Sequence, residues 1–171
     1  MDIASKKTSD GKLIVDFIES VEPNNGRLLF KINVIHNNIN INEKLFSNNW
    51  NYINFRIDKW QLEGFGYVYI PVEGTPKLLH VDTLEIHDLS YRRISTVLFL
   101  GNIFEFNMLV EIYSDVIEIT DLNTLNTRII FKYKSIESVE WVRFLNEKEI
   151  EVTLVKNTRG KREKRSEIRR I

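Results

Sequence analysis

The chain has 171 residues, no cysteine, and 24 Lys/Arg balanced against 24 Asp/Glu. Disulfides, thiolate metal sites and a cysteine nucleophile are thereby excluded, and no apolar run is long enough for a membrane-spanning helix. The zero net charge is a cancellation, because residues 156–171 carry eight Lys/Arg against two Glu while residues 1–155 carry 16 against 22 acids.

One alanine against 22 isoleucines leans the local propensity toward strand. The first residues lack the long apolar core of a signal peptide, and the absence of cysteine suits a reducing compartment, so a cytoplasmic location is expected. Segment 12–20 sets Leu13, Val15 and Phe17 on one strand face. After the turn formers of 22–26, "RLLFKINVIH" alternates Leu28, Phe30, Ile32 and Val34 against Lys31 and Asn33. That period of two predicts a half-buried strand, and the two segments together predict a hairpin.

Residues 36–49 are rich in asparagine and predict a loop with a short helical turn. "WNYINFRIDKW" fits a strand through Ile53, Phe55 and Ile57, and also a helical stripe through Phe46, Trp50, Ile53, Ile57 and Trp60. Its asparagine and β-branched content favours strand. "GFGYVYIPV" predicts a strand ending near Pro71, since proline has no donor for a ladder.

From residue 77 onward strands follow one another. "LLHVDTLEIHDL" reads as one or two. "TVLFLGNIFEFNMLVEIY" reads as two, with Gly101–Asn102 as the turn or bulge. "DVIEITDL" sets Ile117 and Ile119 opposite Glu118 and Thr120. "RIIFKYKSI" aligns Ile129, Phe131 and Tyr133, and "ESVEWVRFL" aligns Val139, Trp141 and Leu145. "EIEVTLV" alternates Ile150, Val152 and Leu154 against Glu149, Glu151 and Thr153. The expected fold is mostly β, an antiparallel sandwich or barrel of roughly nine or ten strands with little helix. It forms a single domain over residues 1–155, followed by a basic C-terminal tail at 156–171.

Catalytic chemistry finds little support in these residues. His80, Asp82, His87 and Asp88 have metal-ligand chemistry, but on one strand His87 points away from the other three, whose face also carries Leu84 and Ile86. Gly64-x-Gly66 lacks a third glycine, a following helix and a lysine, so it is no phosphate cradle. A Gly-x-Ser-x-Gly elbow is absent. No enzyme activity, metal or cofactor is expected.

Two surfaces remain. Trp50, Tyr52 and Trp60 crowd one stretch, and aromatics are favoured at binding hot spots. Residues 105–151 carry ten acids against five basic residues. A sheet face bearing Glu118, Glu149 and Glu151 would attract a basic partner. The first expectation is therefore a non-enzymatic protein-binding domain, an immunity-type or inhibitor protein that blocks a partner through an acidic, aromatic-bearing sheet face. The alternative is a nucleic-acid-binding module whose tail acts as an electrostatic arm, with Lys161, Arg162, Lys164, Arg165, Arg169 and Arg170 on phosphates.

Overall fold

A computed structural model describes residues 3–21, 28–46, 52–53, 61–71, 75–89, 101–113, 115–134, 136–158 and 160–171. These residues are nearly all β, and their single helix, α1, is one turn at Asn42–Leu45. The chain divides into two compact units, Met1–Phe55 with Leu62–Ile94, and Arg56–Gln61 with Ser95–Ile171.

The first unit opens with β1 (Ile3–Lys7), β2 (Leu13–Val21), β3 (Leu28–His36) and β4 (Ile39–Asn40), joined antiparallel in that order, with β5 (Tyr52–Ile53) also on β3. The alternation expected for β2 and β3 is present. Val15 lies opposite Val34 and Phe17 opposite Ile32, all four fully buried. β1 is an added strand whose polar "IASKK" gives no hydrophobic alternation to read. The turn after it is held by Asp10, whose carboxylate accepts from Thr8 Oγ1 at 2.7 Å and from the Lys12 amide at 3.0 Å.

The unit's second sheet runs β6 (Glu63–Gly64), β7 (Tyr67–Ile70), β8 (Lys77–His80) and β9 (Ile86–Asp88). Strand β7 ends just before Pro71, as expected. Phe65 and Gly66 form a two-residue hairpin turn with φ of 52° and 80°. Such turns need positive φ at both positions, which glycine supplies freely and phenylalanine only under strain. Phe46 is buried just after α1, whereas most of the ambiguous segment 47–60 lies outside the described residues.

In the second unit, β10 (Gly101–Glu105), β11 (Met108–Ile112), β12 (Val116–Asp121) and β13 (Asn126–Lys132) form a meander. Gly101–Asn102 is not the turn. Both residues lie in β10, and the reversal falls at Phe106–Asn107, with φ of 49° and 58°. Asn102 is instead a side-chain clasp. Its amide accepts from the Gln61 N–H at 3.0 Å and donates to the Gln61 carbonyl at 2.9 Å. Ile129 and Phe131 do not share a face either. The ladder shifts between Ile117–Phe131 and Glu118–Ile129, so Ile130 is an extra residue and Ile129 is left exposed.

The fourth sheet is β14 (Glu137–Asn146), β15 (Glu149–Thr158) and β16 (Lys161–Arg170). The basic residues set apart above as a tail thus form its third strand, in unbroken register on β15. One apolar core joins the third and fourth sheets. It takes Val110, Ile112, Ile117, Ile119, Phe131 and Tyr133 from one, and Val142, Phe144, Ile150, Val152 and Leu154 from the other.

Candidate interaction face on the C-terminal sheet

Strand β14 carries two irregularities that decide what the fourth sheet shows to solvent. Val139 pairs with Leu154, but Trp141 pairs with Thr153, so Glu140 is an extra residue. A second shift lies between Phe144 and Asn146, at Leu145. Each bulge turns the alternation by one place. The core therefore receives Val142 and Phe144, not Trp141 and Leu145. Trp141 is 36% exposed, and Leu145 is exposed as well.

The outer face can be built row by row. Trp141 lies opposite Thr153, which lies opposite Ser166, and the two hydroxyls are 2.6 Å apart. In the next row Arg143 lies opposite Glu151, and Glu151 opposite Ile168, which is 60% exposed. Arg143 donates to Glu151 through Nε at 2.9 Å and Nη2 at 2.7 Å. Its guanidinium carbon also sits 4.8 Å from the centre of the Trp141 ring. The extra residue Glu140 reaches Arg162 at 2.6 Å and Lys164 at 2.7 Å on β16. The Lys164 hydrogen bond and the two cations hold its carboxyl below the ordinary value. Glu149 accepts from Asn146 Nδ2 at 3.1 Å.

On the inner side of β16 the residues are charged too. Arg165 donates to both carboxylate oxygens of Glu137 and pairs with Glu167, which also pairs with Arg169. Arg165's hydrogen bond lowers the Glu137 pKa, and in return the arginine's own is raised. Arg169 lies over the Phe131 ring at 4.8 Å.

These contacts redistribute the residues singled out in the sequence. Glu149 and Glu151 do share the outer face of β15, but Glu151 is neutralised by Arg143. Glu118 is not on an outward face. It is 2% exposed in β12 and lies directly opposite Glu111, which is fully buried. The alternation with Ile117 and Ile119 holds, yet the second side of β12 is buried as well. Tyr113 Oη donates to Glu111 at 2.6 Å, and Tyr133 Oη donates to the Tyr113 carbonyl. Burial, with Asp115 nearby, raises the Tyr133 pKa. Trp50 and Trp60 lie outside the described residues, and Tyr52 pairs through its backbone with Lys31. Lys161, Arg162, Lys164, Arg165, Arg169 and Arg170 are all exposed on one strand.

Trp141 was missed as a surface residue. Its segment offers two competing alternations, Val139–Trp141 and Val142–Phe144, and only the ladder chooses between them. The histidine set is dispersed by the β8–β9 hairpin. His80 Nδ1 accepts the Asp82 and Thr83 amides at 3.3 Å, whereas Asp88 pairs with Lys77 at the far end. Among the described residues no three His, Asp or Glu side chains gather as a metal site. A shallow cavity of about 340 Å³ in the first unit is lined by Asp10, Glu63, Phe65 and Tyr67. Its carboxylates already hold local backbone, Glu63 accepting from the Ser9 amide at 2.6 Å.

No family model and no curated protein matches the chain. Among solved structures, the crystal structure of the N-terminal domain of Nup159 is similar at a TM-score of 0.42 and 13% identity, over 94% of this chain. The match spans 42% of that structure's chain, and a likeness of this size carries no argument about function. No helix among the described residues is long and apolar enough to cross a membrane.

Proposed function

We propose that this chain is a non-enzymatic protein-binding domain that engages its partner through the outer face of the β14–β15–β16 sheet. The observation that carries this reading is the bulge at Glu140, which turns Trp141 outward beneath the Arg143 guanidinium. Tryptophan and arginine are the residues most enriched at interface hot spots. Here both are held on a paired strand, with Arg143 also bonded to Glu151, so less side-chain freedom is left to lose on association. Leu145 and Ile168 add exposed apolar area around them. An immunity-type or inhibitor role is the form of this reading in which the sheet face covers the partner's own working surface.

The electrostatics differ from those expected of the sequence. The outer face carries Glu140, Glu149 and Glu151, but Arg143, Arg162, Lys164 and Arg170 stand among them. A mixed, slightly cationic face suits an acidic partner better than a basic one. The decisive experiment is affinity capture from nuclease-treated lysate of the source organism with the wild-type chain and a Trp141→Ala/Ile168→Ser variant. Loss of one nuclease-resistant protein from the variant supports the reading. Identical capture by both baits sinks it.

A second reading is favoured by the six Lys/Arg on β16, which suit phosphate contacts. Against it, Arg162, Lys164, Arg165 and Arg169 are already paired with carboxylates. Its signature is a steep fall of oligonucleotide affinity with salt that flattens when Lys161 and Arg170 are changed to Gln.

A further inference from the structure

We propose that the outer edge of β16 is a docking strand for an extended acidic segment of a partner protein, which adds to the fourth sheet as another strand. This rests on the protein-binding reading and names the chemistry of the partner. β16 is the terminal strand of its sheet, ten residues long, and no strand among the described residues pairs with its outer edge. Residues 161–166 and 168–170 are all exposed.

The direction of its backbone groups follows from one hydrogen bond. The Ile171 N–H donates to the Lys148 carbonyl at 2.8 Å, on the β15 side. The register runs unbroken from Glu149–Arg170 to Thr158–Lys161. Antiparallel strands alternate between residues that bond the partner and residues that face away. The N–H and C=O groups of Arg162, Lys164, Ser166, Ile168 and Arg170 therefore point to the open edge. These five also place their side chains on the outer face, beside Trp141 and Arg143.

Charge then selects the occupant. An antiparallel second copy must pair outward residues with outward residues. Centred on Arg165, it sets Lys161 opposite Arg169, Glu163 opposite Glu167 and Arg165 opposite itself. Centred on Ser166, it gains Glu–Arg pairs but still sets Arg162 opposite Arg170, and it joins two strands that each carry six Lys/Arg against two Glu. Like charges directly opposite one another destabilise a pair of strands. Dense charge is a common device for keeping sheet edges from self-pairing. The same residues become favourable when the incoming strand carries carboxylates, so rejection of a second copy and acceptance of an acidic strand have one cause. Glu140 already demonstrates the geometry, since one carboxylate bridges Arg162 and Lys164. Lys161 and Arg170 have no ion pair among the described residues. Main-chain bonds would supply affinity and the basic side chains specificity, as in other strand additions.

The test uses the full chain and a synthetic peptide of alternating Glu and Val, about ten residues long to match the strand. Controls are the same peptide with Lys for Glu, the acidic peptide N-methylated at alternate amides, and a thymidine oligonucleotide. Fluorescence anisotropy should show the acidic peptide binding at least about tenfold more tightly than either peptide control. Amide exchange should slow at Arg162, Lys164, Ser166 and Ile168, and not at the alternate residues. Ser166→Pro removes one outward donor and leaves the backbone bonds to β15 in place, while losing the hydroxyl contact with Thr153. With Ser166→Ala as the control for the lost hydroxyl, it should lower binding about tenfold. If that variant does not fold, Arg162→Glu/Lys164→Glu asks the same question through charge.

Equal binding of the N-methylated peptide, no peptide binding, or protection of these amides by the oligonucleotide alone overturns the proposal. So does sedimentation showing a second copy paired on this edge. Peptide binding that fails while capture still depends on Trp141 removes only the edge. Peptide binding that succeeds while capture ignores Trp141 removes only the face.

Discussion

Phe65 occupies a position that asks for another residue. At φ of 52° before Gly66 it sits where Asn-Gly is the favoured pair, and its ring is 52% exposed. Phe65→Asn is expected to raise stability by about 0.5–1 kcal/mol, read by urea denaturation, because asparagine tolerates the left-handed region. An unchanged or lower midpoint would mean that the ring's contacts outweigh the backbone strain. Asp10 makes a second residue-scale case. The Lys12 amide, then the Thr8 hydroxyl, hold its pKa down to about 2. Its carboxyl signal should therefore titrate near pH 2 by NMR, and in a Thr8→Val variant the midpoint should move up toward the ordinary carboxylate range. The hairpin contribution of this group is present above the ordinary Asp range and is lost as pH falls through the depressed value.

Among the elements, β14 and β16 carry the argument. Glu140 is the extra residue of the bulge, so deleting it should leave Val139 and Val142 on the core side and Trp141 outward, now on a continuous ladder with Leu154, Thr153 and Val152. Near-native stability is expected, the small cost being that of the lost surface ion pairs to Arg162 and Lys164. Glu140→Ala keeps the residue count, and should leave the register intact while loosening Arg162 and Lys164. Severe destabilisation of the deletion mutant, with Trp141 buried, would contradict the assigned register. Strand β16 is tied to β14 by Glu137 and Glu140, whose folded pKa values are lowered by Arg165 and Lys164. A lowered carboxylate stabilises above its unfolded pKa and ceases to do so as pH falls through its folded one. Amide exchange in β16 is thus expected to quicken in acid before that in β12. Exposed pairs of this kind are individually weak, so the effect is local fraying rather than global unfolding.

For the molecule as a whole, β16 changes how truncations are to be understood. Removing residues 157–171 would strip one side of β15, whose Ile150, Val152 and Leu154 are buried in the shared core. Such a truncation is expected to lower the thermal midpoint and promote self-association, so a loss of binding would say nothing about basic residues. Charge substitutions on an intact strand are the clean probe. Val152→Ala should cost about 1–3 kcal/mol, scaled from larger core truncations, with exchange quickening across β14–β16. A negligible effect would mean that the two sheets do not share this core.

Alternation alone was enough to place β2, β3, β12 and β15. In β3 and β15 apolar and polar residues take turns over five or more positions, and in β2 and β12 a shorter alternation sets Leu13, Val15 and Phe17, and Ile117 and Ile119, on one side. The mostly antiparallel β character followed from the same signal, as did the end of β7 at Pro71. Bulges are not visible in that way. At Trp141 and Ile129 an extra residue reverses the pattern, and whether a ladder takes one in depends on the strand beside it. Burial of Glu118 was equally hidden, because alternation says which residues share a side and not whether the second side meets water. The basic segment was misleading for a related reason. With Ile168 and Ile171 as its only apolar residues, it has nothing to fold around by itself. What makes it a strand is the ready edge of β15 and the carboxylates of Glu137 and Glu140, partners more than twenty residues away that only the tertiary structure brings alongside.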